Sequence, residues 1–259
     1  MNRYLVLLFL LIIIESQAQD FSLLEFRTFS DDQLGTLPYR ILYPPDYDRS
    51  MEYPLVLFLH GAGERGNDNE KQLLHGVKHF LEDVTRDRFP CILVVPQCPD
   101  DGYWGSVIVD RSTQPRTFTF NYQNHITPAL QLAIDLVKFL RKAEAVDKNR
   151  VYVTGLSMGG MGTLEAVYRQ PKLFAAAVPV CGGADHSAYQ KKHARIPFWF
   201  FHGDADTIVP VDFSRTAVMH LKSLGASIKY TEYPGVKHNS WVNAYAEPDL
   251  IPWMFKQHR

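Results

Sequence analysis

The chain is poor in cysteine, and the three it has, Cys91, Cys98 and Cys181 in 259 residues, are too few and odd in number for a disulfide scaffold. Cys91 and Cys98 bracket a strand-like run, Ile92-Leu93-Val94-Val95-Pro96-Gln97. Seven residues of strand hold their Cα atoms roughly 23 Å apart, where a bridge needs less than about 7 Å. No C-x-x-C pair, H-E-x-x-H segment or Cys-His cluster is present, so neither a metal nor a cofactor is expected. His75 and His79 stand four apart on an expected helix and are read as polar residues of a solvated face. An excess of either charge is also lacking. Lys plus Arg number 27 against 28 Asp plus Glu, a net charge of −1, which leaves no electrostatic footprint for nucleic acid or an anionic membrane. A small neutral partner fits better. One apolar run stands out, residues 4–14, and it is short of the roughly 20 residues that span a bilayer. Asn2 and Arg3 precede it and Ser16 and Ala18 follow, the pattern of a signal peptide cleaved after Ala18. The expectation is a secreted or periplasmic protein with a signal peptide over 1–18 and one domain over 19–259, uninterrupted by repeats or linkers.

The composition, 46% apolar and 13% aromatic, supplies one substantial core. Strands are expected over 22–29, 37–43, 55–60, 91–95, 151–154, 176–180, 198–201 and 228–233. The first two are amphipathic and joined by a turn-like Asp31-Asp32-Gln33-Leu34-Gly35, while the later ones are almost continuously apolar, as strands covered on both faces must be. Helices are expected over 71–81, 128–142, 158–169, 213–224 and roughly 239–255. The helix at 128–142 carries the clearest signals: Thr127 to cap it, Pro128 at its first position and apolar residues at helical period. Strand and helix in alternation predict an α/β fold: an eight-stranded, mainly parallel sheet with an antiparallel N-terminal edge and helices on both faces. The weakly patterned stretch 99–124 is the expected functional loop. Ligands of such sheets bind beyond the carboxyl ends of the strands.

Just past the strand at 151–154 stands Gly155-Leu156-Ser157-Met158-Gly159, a G-x-S-x-G segment entering a helix. A sharp strand-to-helix turn exposes Ser157 as a nucleophile, and the helix N-terminus offers free N–H groups beside it. A serine hydroxyl needs a base, and the base needs an acid to hold its tautomer. His238 follows the last strand and precedes a helix, whereas His220 lies within one and His258 is terminal, which makes His238 the candidate base. The acid is Asp204 or Asp206, both in His202-Gly203-Asp204-Ala205-Asp206, and spacing does not separate them. Asp204 could instead close an Asx turn.

With Tyr53 to Gly66 (YPLVLFLHGAGERG), Val94 to Cys98, Val151 to Gly160 (VYVTGLSMGG), Phe201 to Pro210 (FHGDADTIVP) and Gly235 to Trp241, the chain resembles the α/β-hydrolase superfamily. The likeness is to exported esterases, dienelactone-hydrolase-like proteins and "predicted peptidases" related to feruloyl and acetyl-xylan esterases. The resemblance implies that Asp206 is the acid, that the N–H groups of Ala62 and Met158 form the oxyanion hole, and that His60 and His202 are structural. For Glu64 and Arg65, a loop-pinning ion pair is expected over substrate contact. The implied activity is serine carboxylic-ester hydrolysis through an acyl-enzyme, on short or aryl acyl esters of a carbohydrate or other bulky alcohol. A peptidase is the alternative, and a non-catalytic glycan-binding protein a more distant one. The connections after the fifth and sixth strands are too short for a helical lid, so an open site is expected, with Trp104 and Trp241 as substrate-binding aromatics, Trp104 being alternatively a packing residue.

Overall fold

The computed structural model describes residues 21–113 and 116–259, so the expected signal segment and its cleavage point lie outside the described residues. Among the described residues ten strands are formed: β1 (Glu25–Asp31), β2 (Gly35–Leu42), β3 (Tyr53–Leu59), β4 (Ile92–Pro96), β5 (Val107–Asp110), β6 (Thr117–Phe120), β7 (Val146–Leu156), β8 (Ala176–Val180), β9 (Phe198–Gly203) and β10 (Ile228–Tyr233). The helices are α1 (Asp83–Arg88), α2 (Pro128–Ala143), α3 (Met158–Arg169), α4 (Asp212–Ser223), α5 (Trp241–Tyr245) and α6 (Leu250–Phe255). Eight strands make one sheet in the order β1-β2-β4-β3-β7-β8-β9-β10. β2 runs antiparallel to both β1 and β4, and every pairing from β4 onward is parallel. The eight-stranded, mainly parallel sheet with an antiparallel N-terminal edge is thus present.

The apolar runs explain which strands are central. β4 and β8 are buried at every position, whereas edge strand β1 is largely exposed. Alternate side chains of the sheet feed two layers. Leu55, Leu57, Leu59, Val151 and Val153 pack with the apolar faces of α2, α3 and α4. Val56, Phe58, Tyr152 and Val178 pack on the opposite face with Phe80, Tyr245 and Met254. α2 begins as its sequence dictates: Leu130 N–H donates to Thr127 Oγ1 at 3.3 Å and Pro128 fills the first turn.

Three expected elements differ. The helix at 71–81 is instead two 3-10 turns, Lys71–Leu73 and Val77–Phe80, split at Gly76. Gly76 has φ of 80°, and a Cβ there would lie 2.6 Å from the Tyr245 ring, so the chain can neither continue the helix nor accept another residue. The helix at 239–255 breaks into α5 and α6, with Pro248 in the gap removing a backbone donor. The loop over 99–124 contains an antiparallel hairpin, β5 with β6, outside the main sheet.

Because β3, β7, β9 and β10 are mutually parallel, their carboxyl ends open on one edge of the sheet. The segments after them, beginning at His60, Ser157, Asp204 and Gly235, therefore meet there.

Candidate active site

Ser157 sits between β7 and α3 with φ 52° and ψ −114°, a left-handed backbone that a side-chain-bearing residue adopts at a cost of about 1–3 kcal/mol. The surroundings enforce it. Ser157 N–H donates to Val180 O at 2.9 Å, and a Cβ at Gly159 would collide with the Leu59 carbonyl oxygen, so α3 can approach β3 only through glycine. The turn leaves Ser157 half-buried at the strand edge.

Ser157 Oγ lies 2.9 Å from His238 Nε2, and His238 Nδ1 lies 2.7 Å from Asp206 Oδ2. The other oxygen, Asp206 Oδ1, accepts from Ile208 N–H at 2.8 Å and Val209 N–H at 3.0 Å. Burial opposes the charge of Asp206, but donors from His202 and His238, with the Val209 N–H, outweigh it and hold the carboxyl well below the usual carboxylate range. His202, fully buried, places Nε2 between Val209 O at 2.9 Å and Asp206 Oδ2 at 3.2 Å, while its Nδ1 meets Ser214 Oγ at 2.7 Å. The residue read as merely structural thus braces the carboxylate. Asp204 is exposed and accepts from Gly235 N–H at 2.6 Å, closing the loop that carries His238 without touching the imidazole.

The loop after β3 faces the same serine. His60 Nδ1–H donates to Gly61 O at 2.6 Å and Nε2 accepts from Cys98 N–H at 2.9 Å, which fixes a neutral tautomer. Burial lowers its pKa to about 4. Between about pH 6.5 and about pH 4 the unfolded chain takes up a proton that folded His60 refuses. Stability is therefore expected to fall on acidification through that window, by about 3 kcal/mol, and level off below it. Urea unfolding across the window, compared with His60→Gln, checks this: the variant should show a shallower slope.

Arg65 Nε donates to Ala62 O at 3.0 Å and Nη1 to Gly102 O at 3.2 Å, so it pins two loops through carbonyls. The expected Glu64–Arg65 ion pair is not what does it. Glu64 turns toward His75, 3.7 Å from Oε1 to Nε2, and its Oε2 is buried without a hydrogen-bond partner among the described residues. Burial raises the Glu64 pKa, with His75 pulling the other way. His75 is not on a solvated face; its ring lies 5.4 Å from that of Trp241.

A cavity of about 330 Å³ opens at Ser157 and His238, walled by Ala62 and Gly63 on one side and by Tyr103, Phe118 and Trp241. Trp241 thus lies where a substrate-binding aromatic was expected, its ring edge-on to His238 at 5.3 Å. Trp104 does not. It is 0% exposed, packed against His60 and donating Nε1–H to His60 O at 3.1 Å, because Gly162 leaves room for it against α3. Trp104→Ala is expected to cost about 3–5 kcal/mol of stability in urea or thermal unfolding, the price of a large core cavity. The cavity is also less open than expected. No helical lid is inserted among the described residues, but the β5-β6 hairpin contributes Val109, Arg111, Arg116 and Phe118 to its wall. Short strands of four residues with no long apolar run hid that hairpin in the sequence.

Cys181, Asp206 and His238 bring ligand atoms within 4.8 Å of one another. Burial raises the Cys181 thiol pKa far above the ordinary value, and the nearby Asp206 adds to this, while His238 and Asp206 are engaged with Ser157 and with each other. Met158, buried, is the first residue of α3, where backbone N–H groups have no intrahelical acceptor.

The sequence profile of the phospholipase/carboxylesterase family matches residues 47–247. An uncharacterized secreted protein of Arthroderma benhamiae is 24% identical over 253 residues, 84% of this chain and 25% of that protein. Among solved structures, a thermostable esterase superposes with a TM-score of 0.81 at 36% identity, over 92% of this chain and 64% of its own. A ferulic acid esterase shares the fold with a TM-score of 0.65 at 16% identity, over 90% of this chain and 97% of its own. The chain therefore spans a quarter of the fungal protein and under two thirds of the thermostable esterase.

Proposed function

Because this chain belongs to the phospholipase/carboxylesterase family of α/β hydrolases, we propose that it cleaves carboxylic esters through an acyl-enzyme on Ser157. The observation that carries this reading is the unbroken contact chain Ser157 Oγ, His238, Asp206, at 2.9 and 2.7 Å. In it, Ser157 Oγ attacks the ester carbonyl as His238 Nε2 takes its proton, and Asp206, accepting at Nδ1, steadies the imidazolium. Negative charge on the carbonyl oxygen falls to the backbone N–H groups of Ala62 and Met158. His238 then returns the proton to the leaving alcohol, and a water activated by the same nitrogen hydrolyses the acyl-enzyme. The strained backbone at Ser157 brings its side chain to the cavity, where Oγ is within hydrogen-bond reach of His238.

For the substrate, a cavity of about 330 Å³ with three aromatic walls suits a short or aryl acyl group, with the bulky alcohol, a carbohydrate for instance, left outside. An exported location is part of the proposal. The likeness to a fungal secreted protein supports it, and no helix among the described residues is long and apolar enough to cross a membrane. A panel of acetyl, feruloyl and dodecanoyl esters beside peptide amides tests the class: the first two should have the highest kcat/KM. Preference for the twelve-carbon ester, or for peptide amides, would overturn it.

A further inference from the structure

Two arginines stand at the mouth of the cavity and the ester chemistry leaves them unused. Arg111 directly follows β5 and Arg116 directly precedes β6, so both sit at the tip of the hairpin, and both line the cavity that contains Ser157 and His238. Neither has an ion pair or a hydrogen bond among the described residues, although the chain as a whole is almost neutral and most of its arginines find carboxylates or carbonyls. Asp110, beside Arg111, accepts at Oδ1 from Ser112 N–H at 2.8 Å and from Ser112 Oγ–H at 2.6 Å. Asp212, across a second groove that Arg116 also lines, is paired with Arg215 at 3.0 Å.

The hairpin that carries them is fixed to the body of the protein. Ser106, at its entry, donates N–H and Oγ–H to Glu165, at 2.5 and 2.7 Å, and the Arg169 guanidinium holds that buried carboxylate from the other side at 2.8 Å. Phe118 and Phe120 both pack edge-on against Phe213 of α4, and Tyr122 N–H donates to Asp185 at 3.1 Å after the hairpin exit. Its strands are thereby fixed beside the cavity that Ser157 also lines. Both guanidinium groups act on the hydroxyl of Tyr103 in the cavity wall, offsetting part of the pKa rise that burial imposes there. The lining holds one carboxyl group, Glu64, and it turns toward His75 rather than toward either guanidinium. Two guanidinium groups therefore line the cavity without a carboxylate partner among the described residues.

We propose that Arg111 and Arg116 form a carboxylate subsite: the physiological ester carries an anionic carboxylate that the two guanidinium groups bind at the cavity mouth while its ester carbonyl lies at Ser157. This deepens the ester-hydrolase reading and rests on it. Planar guanidinium forks suit a carboxylate better than ammonium groups do, and at a half-exposed mouth two such contacts amount to about a tenfold preference. The carboxylate can belong to the acyl group, as in the half-ester of a dicarboxylic acid, or to the alcohol, as in a uronic acid acylated on a ring hydroxyl.

Two substrate pairs separate these sources and the inference from its premise. The acyl arm compares mono-4-nitrophenyl adipate with its neutral primary-amide analogue; the alcohol arm compares acetylated methyl glucuronoside with acetylated methyl glucoside. In one arm the anionic member should have about tenfold higher kcat/KM at low salt, shrinking at about 0.5 M NaCl. In the doubly substituted Arg111→Gln, Arg116→Gln enzyme the ratio should collapse to about one, and in the Arg111→Lys, Arg116→Lys enzyme it should be partly retained. Both side chains are at the surface end of a loop, so the variants are expected to fold, and the readout is a ratio within one enzyme. Equal rates for anionic and neutral members in both arms, or a preference that survives the glutamine substitutions, would overturn the subsite. Failure of the wild type to hydrolyse 4-nitrophenyl acetate would instead overturn the ester-hydrolase reading itself, and the subsite with it.

Discussion

Ser157→Ala is expected to lower kcat on 4-nitrophenyl acetate by a factor on the order of 10⁵ to 10⁶, with stability close to that of the wild type. The size follows from what is removed. Among the described residues only Oγ of Ser157 offers a hydroxyl in hydrogen-bond contact with the imidazole, at 2.9 Å from His238 Nε2. Alanine keeps the Cβ, so the left-handed backbone, the Val180 contact and the packing of Gly159 under Leu59 are retained. Residual turnover then measures what charge stabilisation and binding do alone. Steady-state rates, with circular dichroism to show an intact fold, check the result.

Asp206→Asn should lower kcat by about 10⁴, whereas Asp204→Ala should change it by no more than about threefold. An amide at position 206 can donate to His238 Nδ1, which leaves the imidazole in the tautomer that cannot accept from Ser157. Among the described residues the Asp204 side chain accepts only from the Gly235 N–H, and its loss loosens the loop without altering the imidazole's partner. A second consequence is thermodynamic. The Asp206 carboxyl is held below its ordinary range in the fold, so its contribution to stability is present above the unfolded-state value, near pH 4, and declines as pH falls below it. The asparagine variant should lack that part of the acid sensitivity in urea unfolding. A larger catalytic loss for Asp204→Ala than for Asp206→Asn would transfer the acid role to Asp204.

The sheet and the serine turn were legible because their signals are local. β4, β8 and β9 are apolar at nearly every position, and Gly155 and Gly159 mark a turn that only glycine allows. The choice between Asp204 and Asp206 was not local: the two lie one residue apart, and the fold alone turns the second inward toward His202 and His238. Trp104 misled for a related reason. A tryptophan in a long loop near the cleft reads as a substrate wall, and nothing in its own segment signals that Gly162, on a helix far along the chain, makes room to bury it. Tyr103, its neighbour, lines the cavity instead. The β5-β6 hairpin escaped because strands of four residues with exposed Thr117, Thr119 and Ile108 carry no buried face of their own until Phe213 supplies one. Gly76 and Pro248 were visible, but whether a single glycine or proline ends a helix depends on the rings of Phe58 and Tyr245 packed against it in one case and on the lost donor in the other.

Acyl transfer through Ser157 is open to direct test with an active-site phosphonate, which bonds to the activated nucleophile and releases its leaving group. Intact mass followed by peptide mapping should show one adduct per chain, on Ser157, formed by the wild type, strongly slowed in Asp206→Asn and absent from Ser157→Ala. An adduct at another residue, or labelling that persists in Ser157→Ala, would contradict it.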